Sequence, residues 1–212
     1  MTRAKICGIT RIEDGLAAAR HGADAIGLVF YPASPRHVLA AQAGAISAAL
    51  PPFVTTVGLF VNPEKAEVEA VLRDLRLDML QFHGDESPEF CASFGMPYLK
   101  AVRVKPGLDL VQYATWFYSA RGLLLDAFVE GQAGGTGQSF DWELIPAGLP
   151  LPVILSGGLD ADNVRTAIER VKPWAVDVSS GVEACEGSRI LKGLKDAAKI
   201  AAFMQGVRSA NV

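Results

Sequence analysis

The stretch Gly122–Phe140, GLLLDAFVEGQAGGTGQSF, sets an apolar strand, a carboxylate and a glycine-rich loop end to end. Leu123, Leu124 and Leu125 form an apolar run bounded by turn residues, the pattern of a strand buried on both faces. Asp126 falls near the C-terminal end of that strand, where a carboxylate out of water needs a reason. Gly131, Gly134, Gly135 and Gly137 follow, a density that suits backbone approach to a ligand or closure over one. An ordinary βα loop with a solvated Asp is the plainer reading of the same residues.

Outward from this strand the pattern repeats. Arg3–Gly8 reads as a strand, then Thr10–Glu13 as a capping box for a helix with Ile12, Leu16 and Ala19 on one face. Ala25–Phe30 is the second strand, and its helix carries Val38, Ile46 and Leu50 before Pro51-Pro52. Val54–Val61, Met79–His83 and Tyr98–Val104 continue the series, with Asn62-Pro63 and Ser87-Pro88 as helix starts and a helix around Tyr113 and Trp116. A helix is expected from Asp141, strands at Val153–Leu155 and Ala175–Val178, and a last helix over about Asp196–Gln205. Eight strands, each followed by a helix, fit a single closed (β/α)8 TIM barrel of α/β class. An open doubly wound sheet is the alternative, but it has its glycine-rich loop after the first strand, whereas these loops follow three late strands.

The 212 residues, 50% hydrophobic, are enough for one sizeable core, so one domain spanning residues 1–212 is expected. A net charge of −3 without long runs of either sign argues against nucleic acid or a membrane surface as partner. With no apolar stretch of signal or membrane-span length, the expected location is cytoplasmic and the expected partner a small molecule. Cys7, Cys91 and Cys185 lack CxxC spacing and support neither a disulfide framework nor a zinc site.

In such a barrel, ligands sit at the C-terminal ends of the strands, and the loops after strands seven and eight commonly hold phosphate. Here these are Ser156-Gly157-Gly158 and Ser179-Ser180-Gly181, which offer backbone N–H groups and, after Gly158, a helix N-terminus. Strand alternation puts Lys5 with Cys7, Gln81 with His83, and Asp177 with Ser179 on inward faces, and closure makes a Lys5–Asp177 contact feasible. Cys7 is a candidate base, its ordinary pKa of about 8.5 lying near neutrality, or else a small buried apolar residue. Asp126 across the mouth is the candidate acid, to be kept protonated by desolvation under the Gly134–Gly137 loop acting as a lid. Arg36 has a planar fork suited to a substrate carboxylate, unless it is solvated surface. His83 is a proton carrier or, the favoured reading, a hydrogen-bonded structural residue.

Seven motifs taken in order resemble the phosphoribosylanthranilate isomerase family nearly end to end. They are Lys5-Ile6-Cys7-Gly8, Ser34-Pro35-Arg36, Gln81-Phe82-His83-Gly84, Leu125-Asp126-Ala127, Gly134-Gly135-Thr136-Gly137, Ser156-Gly157-Gly158-Leu159 and the run Asp177–Glu183. The resemblance implies a (β/α)8 barrel of tryptophan biosynthesis that converts N-(5-phosphoribosyl)anthranilate to 1-(2-carboxyphenylamino)-1-deoxyribulose 5-phosphate by an Amadori rearrangement. It implies Cys7 as general base, Asp126 as general acid, Arg36 as the anthranilate-carboxylate contact, and Gly157, Gly158, Ser180 and Gly181 around the phosphate. Neither metal nor cofactor is implied, because the substrate nitrogen is the electron sink, and the chain is expected to be a monomer or homodimer. His83 and Asp177 are expected in supporting positions. One departure is visible, an Ala184–Gly193 segment longer than the family's usual link. The rivals are a histidine-pathway phosphoribosyl sugar isomerase, which uses a carboxylate where Cys7 stands, and a phosphate-binding barrel without catalysis.

Overall fold

A computed structural model describes residues 1–127 and 141–210. Eight parallel strands close on themselves in sequence order: β1 Arg3–Cys7, β2 Ala25–Val29, β3 Thr55–Phe60, β4 Met79–Phe82, β5 Tyr98–Val104, β6 Gly122–Ala127, β7 Val153–Leu155 and β8 Ala175–Val178. The seam is β1 against β8, with Lys5 opposite Asp177. The helices are α1 Ile12–Arg20, α2 Ala40–Ala49, α3 Lys65–Asp74, α4 Pro88–Ala92, α5 Leu110–Trp116, α6 Val164–Val171 and α7 Ala197–Ser209. Among the described residues no helix is long and apolar enough to cross a membrane.

All six residues of β6 are buried, as the leucine run requires. Leu124 packs inside the barrel with Leu99, Ala101, Ile154 and Ala175, whereas Leu123 and Leu125 join the larger core between strands and helices. Each buried leucine contributes about 1.5–3 kcal/mol relative to exposure. This inward and outward alternation points Asp126, two residues beyond Leu124, into the barrel mouth.

Several local expectations are corrected. Thr10 does not cap α1: its hydroxyl donates to the Gly193 carbonyl, and Arg11 stands at the N-cap without a side-chain bond. Nor is Ile12, Leu16 and Ala19 the inner face, because Ile12 is exposed and the buried residues are Asp14, Gly15, Ala17 and Ala18. The small residues let α1 approach closely, and a Cβ at Gly15 would already stand 3.3 Å from Ile46. Asp14 is buried there because Arg11 and the Lys195 backbone N–H donate to it. Asn62 does not cap α3, since its side chain accepts from Asp85 N. The reciprocal cap lies two residues on, where Glu67 accepts from Glu64 N at 2.8 Å.

Asp141 starts only a short 3₁₀ turn, Trp142–Leu144, in place of a helix. After β8 the chain does not pass directly into α7. A 3₁₀ turn, Ser180–Val182, leads into an antiparallel hairpin of β9 Glu183–Glu186 and β10 Arg189–Lys195. This hairpin occupies the segment whose length stood out in the sequence.

Candidate active site

The C-terminal ends of the strands bring Cys7, His83, Asp126, Ser156 and Asp177 to one end of the barrel, all of them buried. Cys7, Val29 and Leu59 form an apolar patch there, with Tyr31 and Val61 against it. Lys5 and Asp177 meet across the seam at 2.8 Å, the contact that closure predicted, and Ser156 Oγ lies 3.3 Å from the other carboxylate oxygen. Lys5 also flanks Cys7: an added Cβ at Gly27 would lie 2.6 Å from Cys7 Sγ and 3.2 Å from Lys5 Nζ.

This neighbourhood moves both titrations. Burial raises the Cys7 thiol above its ordinary value and Asp177 adds to the rise, while the Lys5 ammonium partly offsets them. For Lys5, burial alone would lower the pKa, but Asp177 and Cys7 outweigh it and the ammonium is held more firmly than usual. In the ligand-free barrel the balance of these effects raises the Cys7 pKa above its ordinary value and so favours the thiol. Cys91 lies buried in α4, its thiol pushed up to about 12 by burial. Cys185 is exposed on the hairpin, with Lys199 Nζ 3.1 Å from its sulfur.

Asp126 Oδ1 accepts from the Ala127 N–H at 2.9 Å, and Oδ2 lies 3.2 Å from His83 Nε2. His83 Nδ1 is in turn 3.1 Å from the amide nitrogen of Gln81, a side chain with no solvent exposure. His83 thus has a partner at each ring nitrogen, the candidate acid at Nε2 and Gln81 at Nδ1.

Arg36 is not solvated surface. It is buried, and its Nε and Nη2 donate to Glu183 at 2.7 and 2.9 Å, a bidentate pair. Glu183 also accepts from Gly193 N and from Lys195 Nζ, and Lys195 donates to the Ser179 carbonyl. Burial would raise the Glu183 carboxyl, but Arg36, Lys195 and the Gly193 N–H outweigh it and lower its pKa. Burial pulls Lys195 below the usual lysine range despite Glu183.

The two phosphate-loop candidates touch. Gly157 has φ +85°, and a Cβ there would meet Ala127 N at 2.6 Å, so only glycine fits against the end of β6. At Gly181 a Cβ would collide with the Leu159 carbonyl. Gly158 and Ser180 lie beside these two in their loops. The helix expected after Gly158 begins only at Val164, because Asp160 accepts from Asp162 N and Asn163 N and holds an intervening turn. The N-cap of this helix, Asn163, donates its side-chain amide to the Gly158 carbonyl at 2.7 Å. Gly134, Gly135 and Gly137, the lid candidates, lie outside the described residues.

Sequence reasoning missed Glu183, Lys195 and Arg103. Glu183 was visible only as the last residue of a motif, and Lys195 reaches the mouth through a hairpin that periodicity did not reveal. Arg103 was legible: Leu99 and Ala101 face inward, so Arg103 does too, opposite Asp126 in register. Its Nη2 lies 3.4 Å from the His83 carbonyl, and its buried Nε has no hydrogen-bond partner among the described residues. Also among the described residues, no three His, Cys, Asp or Glu side chains gather as a metal site.

Comparison with known proteins places this geometry. The family model described as N-(5'phosphoribosyl)anthranilate (PRA) isomerase matches residues 4–206. The N-(5'-phosphoribosyl)anthranilate isomerase of Azotobacter vinelandii is 61% identical over 208 residues, 98% of each chain. The crystal structure of the Thermus thermophilus phosphoribosyl anthranilate isomerase superposes with a TM-score of 0.86 at 33% identity, covering 98% of this chain and 99% of that one. A further phosphoribosyl anthranilate isomerase structure, solved with reduced 1-(o-carboxyphenylamino)-1-deoxyribulose 5-phosphate, gives 0.82 at 40% identity over 99% and 100%.

The Cys7 environment sets a pH dependence. Because burial disfavours the thiolate, alkylation of Cys7 by iodoacetamide in ligand-free protein should have its midpoint above the ordinary thiol value of about 8.5. Lys5→Met removes the charge that favours the thiolate and should move the midpoint higher still. Mass spectrometry of the Cys7 peptide across pH checks both, and a wild-type midpoint at or below the ordinary value would contradict this electrostatic account.

Proposed function

Because the chain belongs to the N-(5'-phosphoribosyl)anthranilate isomerase family and is an isomerase of tryptophan biosynthesis, we propose that Cys7 and Asp126 carry its Amadori rearrangement as base and acid. The observation that carries this reading is their convergence, both buried, at the C-terminal end of one closed barrel. On this proposal residues 1–212 act as one cytoplasmic barrel domain, a monomer or homodimer, on N-(5-phosphoribosyl)anthranilate. Asp126 protonates the furanose ring oxygen, the C1–O bond breaks, and an iminium forms. The positive charge on that nitrogen favours the thiolate that burial had disfavoured. Cys7 then takes the C2 proton, and the resulting enolamine tautomerises to 1-(2-carboxyphenylamino)-1-deoxyribulose 5-phosphate.

The phosphate is assigned to the backbone of Gly157, Gly158, Ser180 and Gly181, two touching loops in which close packing leaves little room for side chains. Lys195 supports the second loop through the Ser179 carbonyl. Gly134, Gly135 and Gly137 are proposed as the lid. Arg36 is proposed to bind the anthranilate carboxylate with the guanidinium edge that Glu183 leaves free, so that Glu183 orients it. Arg36→Met should then weaken binding of the reduced product analogue by about 1.5–3 kcal/mol. Glu183→Gln, which keeps the shape and removes the charge, should weaken it less but measurably. Calorimetric titration decides, and unchanged affinity in both variants would remove Arg36 from the site.

For the chemistry, Cys7→Ser and Asp126→Asn keep side-chain size and should each lower kcat by about 10²–10⁴-fold with analogue affinity little changed. Fluorescence assay of freshly made substrate under single-turnover conditions is the test. A folded variant of either kind within threefold of wild type would sink its assignment.

A further inference from the structure

Around the barrel mouth the buried cations are matched by carboxylates: Lys5 pairs with Asp177, Lys100 with Glu86, and Arg36 and Lys195 share Glu183. Arg103, near the end of β5, has no such partner among the described residues. It is half-buried, its Nη2 makes one long contact of 3.4 Å with the His83 carbonyl, and its Nε is buried without a hydrogen-bond partner among the described residues. A partly desolvated guanidinium without a counter-charge is unfavourable until something negative meets it.

Its place in the sheet says what that something is. Alternation puts Arg103 on the inward face with Leu99 and Ala101, and in register it stands opposite Asp126. β5 lies between β4 and β6, so the 3.2 Å contact of His83 with Asp126 crosses it, where Ala101 is small and Arg103 is the next inward residue toward the mouth. Asp126 itself does not take the charge, since its oxygens are met by the Ala127 N–H and by His83. Adjacent strands lie about 4.8 Å apart, so an arginine side chain reaches what Asp126 touches. The phosphate-loop candidates follow β7 and β8, and Arg36 follows β2, which leaves the oxygen on which Asp126 acts as the part of the substrate nearest Arg103. We propose that Arg103 is a second catalytic residue at ring opening, donating through its outer guanidinium edge to the furanose oxygen and stabilising the negative charge that develops there. The inference rests on the reading of Asp126 as the acid.

The step balances without Arg103 giving up a proton. The C1–O bond breaks with its electron pair left on the oxygen, the lone pair of the substrate nitrogen forms the C1=N bond, and the Asp126 proton goes to that oxygen. Until the transfer is complete the oxygen is partly anionic. A fixed cation with N–H donors stabilises it there more than it stabilises the uncharged ether of the substrate or the hydroxyl of the product. The His83 carbonyl holds the guanidinium from behind, so that the cation is in place before the bond breaks. Arg36 differs, because the carboxylate proposed for it is charged throughout the reaction and its effect falls on affinity.

The test pairs single-turnover rates with affinity. Arg103→Met removes the charge and the donors and should lower the rate by about 10²-fold, the lower end for loss of one such donor. Calorimetric affinity for the reduced product analogue, whose corresponding oxygen is an uncharged hydroxyl, should change by less than about threefold. With deuterium at C2, the isotope effect should be no larger than in wild type, because the slowed step precedes the breaking of that bond. Arg103→Lys keeps the charge and should recover about tenfold of the loss. Arg103→Gln can still donate to the His83 carbonyl but carries no charge, and should be as slow as Arg103→Met. A rate within threefold of wild type in either uncharged variant, a larger isotope effect, or a loss of analogue affinity equal to the loss of rate would each overturn the proposal, the last by making Arg103 a contact to a standing charge. If Arg103→Met does not fold, Arg103→Gln decides by the same readings, and failure of both to fold would make the residue structural and overturn it too. Full activity in Asp126→Asn would sink the acid assignment itself, whereas loss there with wild-type behaviour in Arg103→Met would sink only the role of Arg103.

Discussion

The buried ion pair between Lys5 and Asp177 joins the first strand to the last, and the barrel mouth is built above it. Two charges withdrawn from water are costly, and removing either one strands the other at about 3–5 kcal/mol. The pair therefore fixes the β1–β8 register as well as the electrostatics. In that register Lys5 lies beside Cys7, and Asp177 lies within reach of Ser156 at the start of the β7 loop. One interaction thus sets the position of the thiol and the rim of the phosphate-loop candidate.

A second network ties the outer rim. Glu183 gathers Arg36 from the loop after β2, Lys195 from the end of the hairpin, and the Gly193 N–H, and Lys195 continues to Ser179. The loop after β2 and the second strand of the hairpin, distant in sequence, are held by one carboxylate with no exposed surface. Its lowered pKa gives the sign of its pH effect: the stabilisation is present above the ordinary carboxylate range and is lost as pH falls through the depressed value. Protonation of Glu183 would therefore weaken its hold on Arg36.

The strands were legible because their signal is local. β5, β7 and β8 fall where β-branched and apolar runs end at turn residues, and the same alternation put Lys5, Cys7, Asp126 and Asp177 inside. What failed depended on distant partners. α1 reads as amphipathic through Ile12, Leu16 and Ala19, but it turns its small residues and Asp14 inward because Lys195, 181 positions away, binds Asp14. Thr10 is drawn from its cap by Gly193 of the same hairpin. The role of Glu183 could not be read from its neighbours, since Arg36 is 147 residues distant. His83 was visible as a residue, but its bond to Asp126 required the curvature of the barrel.

The central claim is a division of labour, with Asp126 acting at ring opening and Cys7 at the C2 proton. Deuterium at C2 of the substrate separates the two steps under single-turnover conditions. In Cys7→Ser the rate should show a full primary isotope effect, because C2 deprotonation has become limiting. In Asp126→Asn the effect should fall toward unity, because ring opening limits before that bond breaks. Equal isotope effects in the two variants, or the reverse order, would contradict the account.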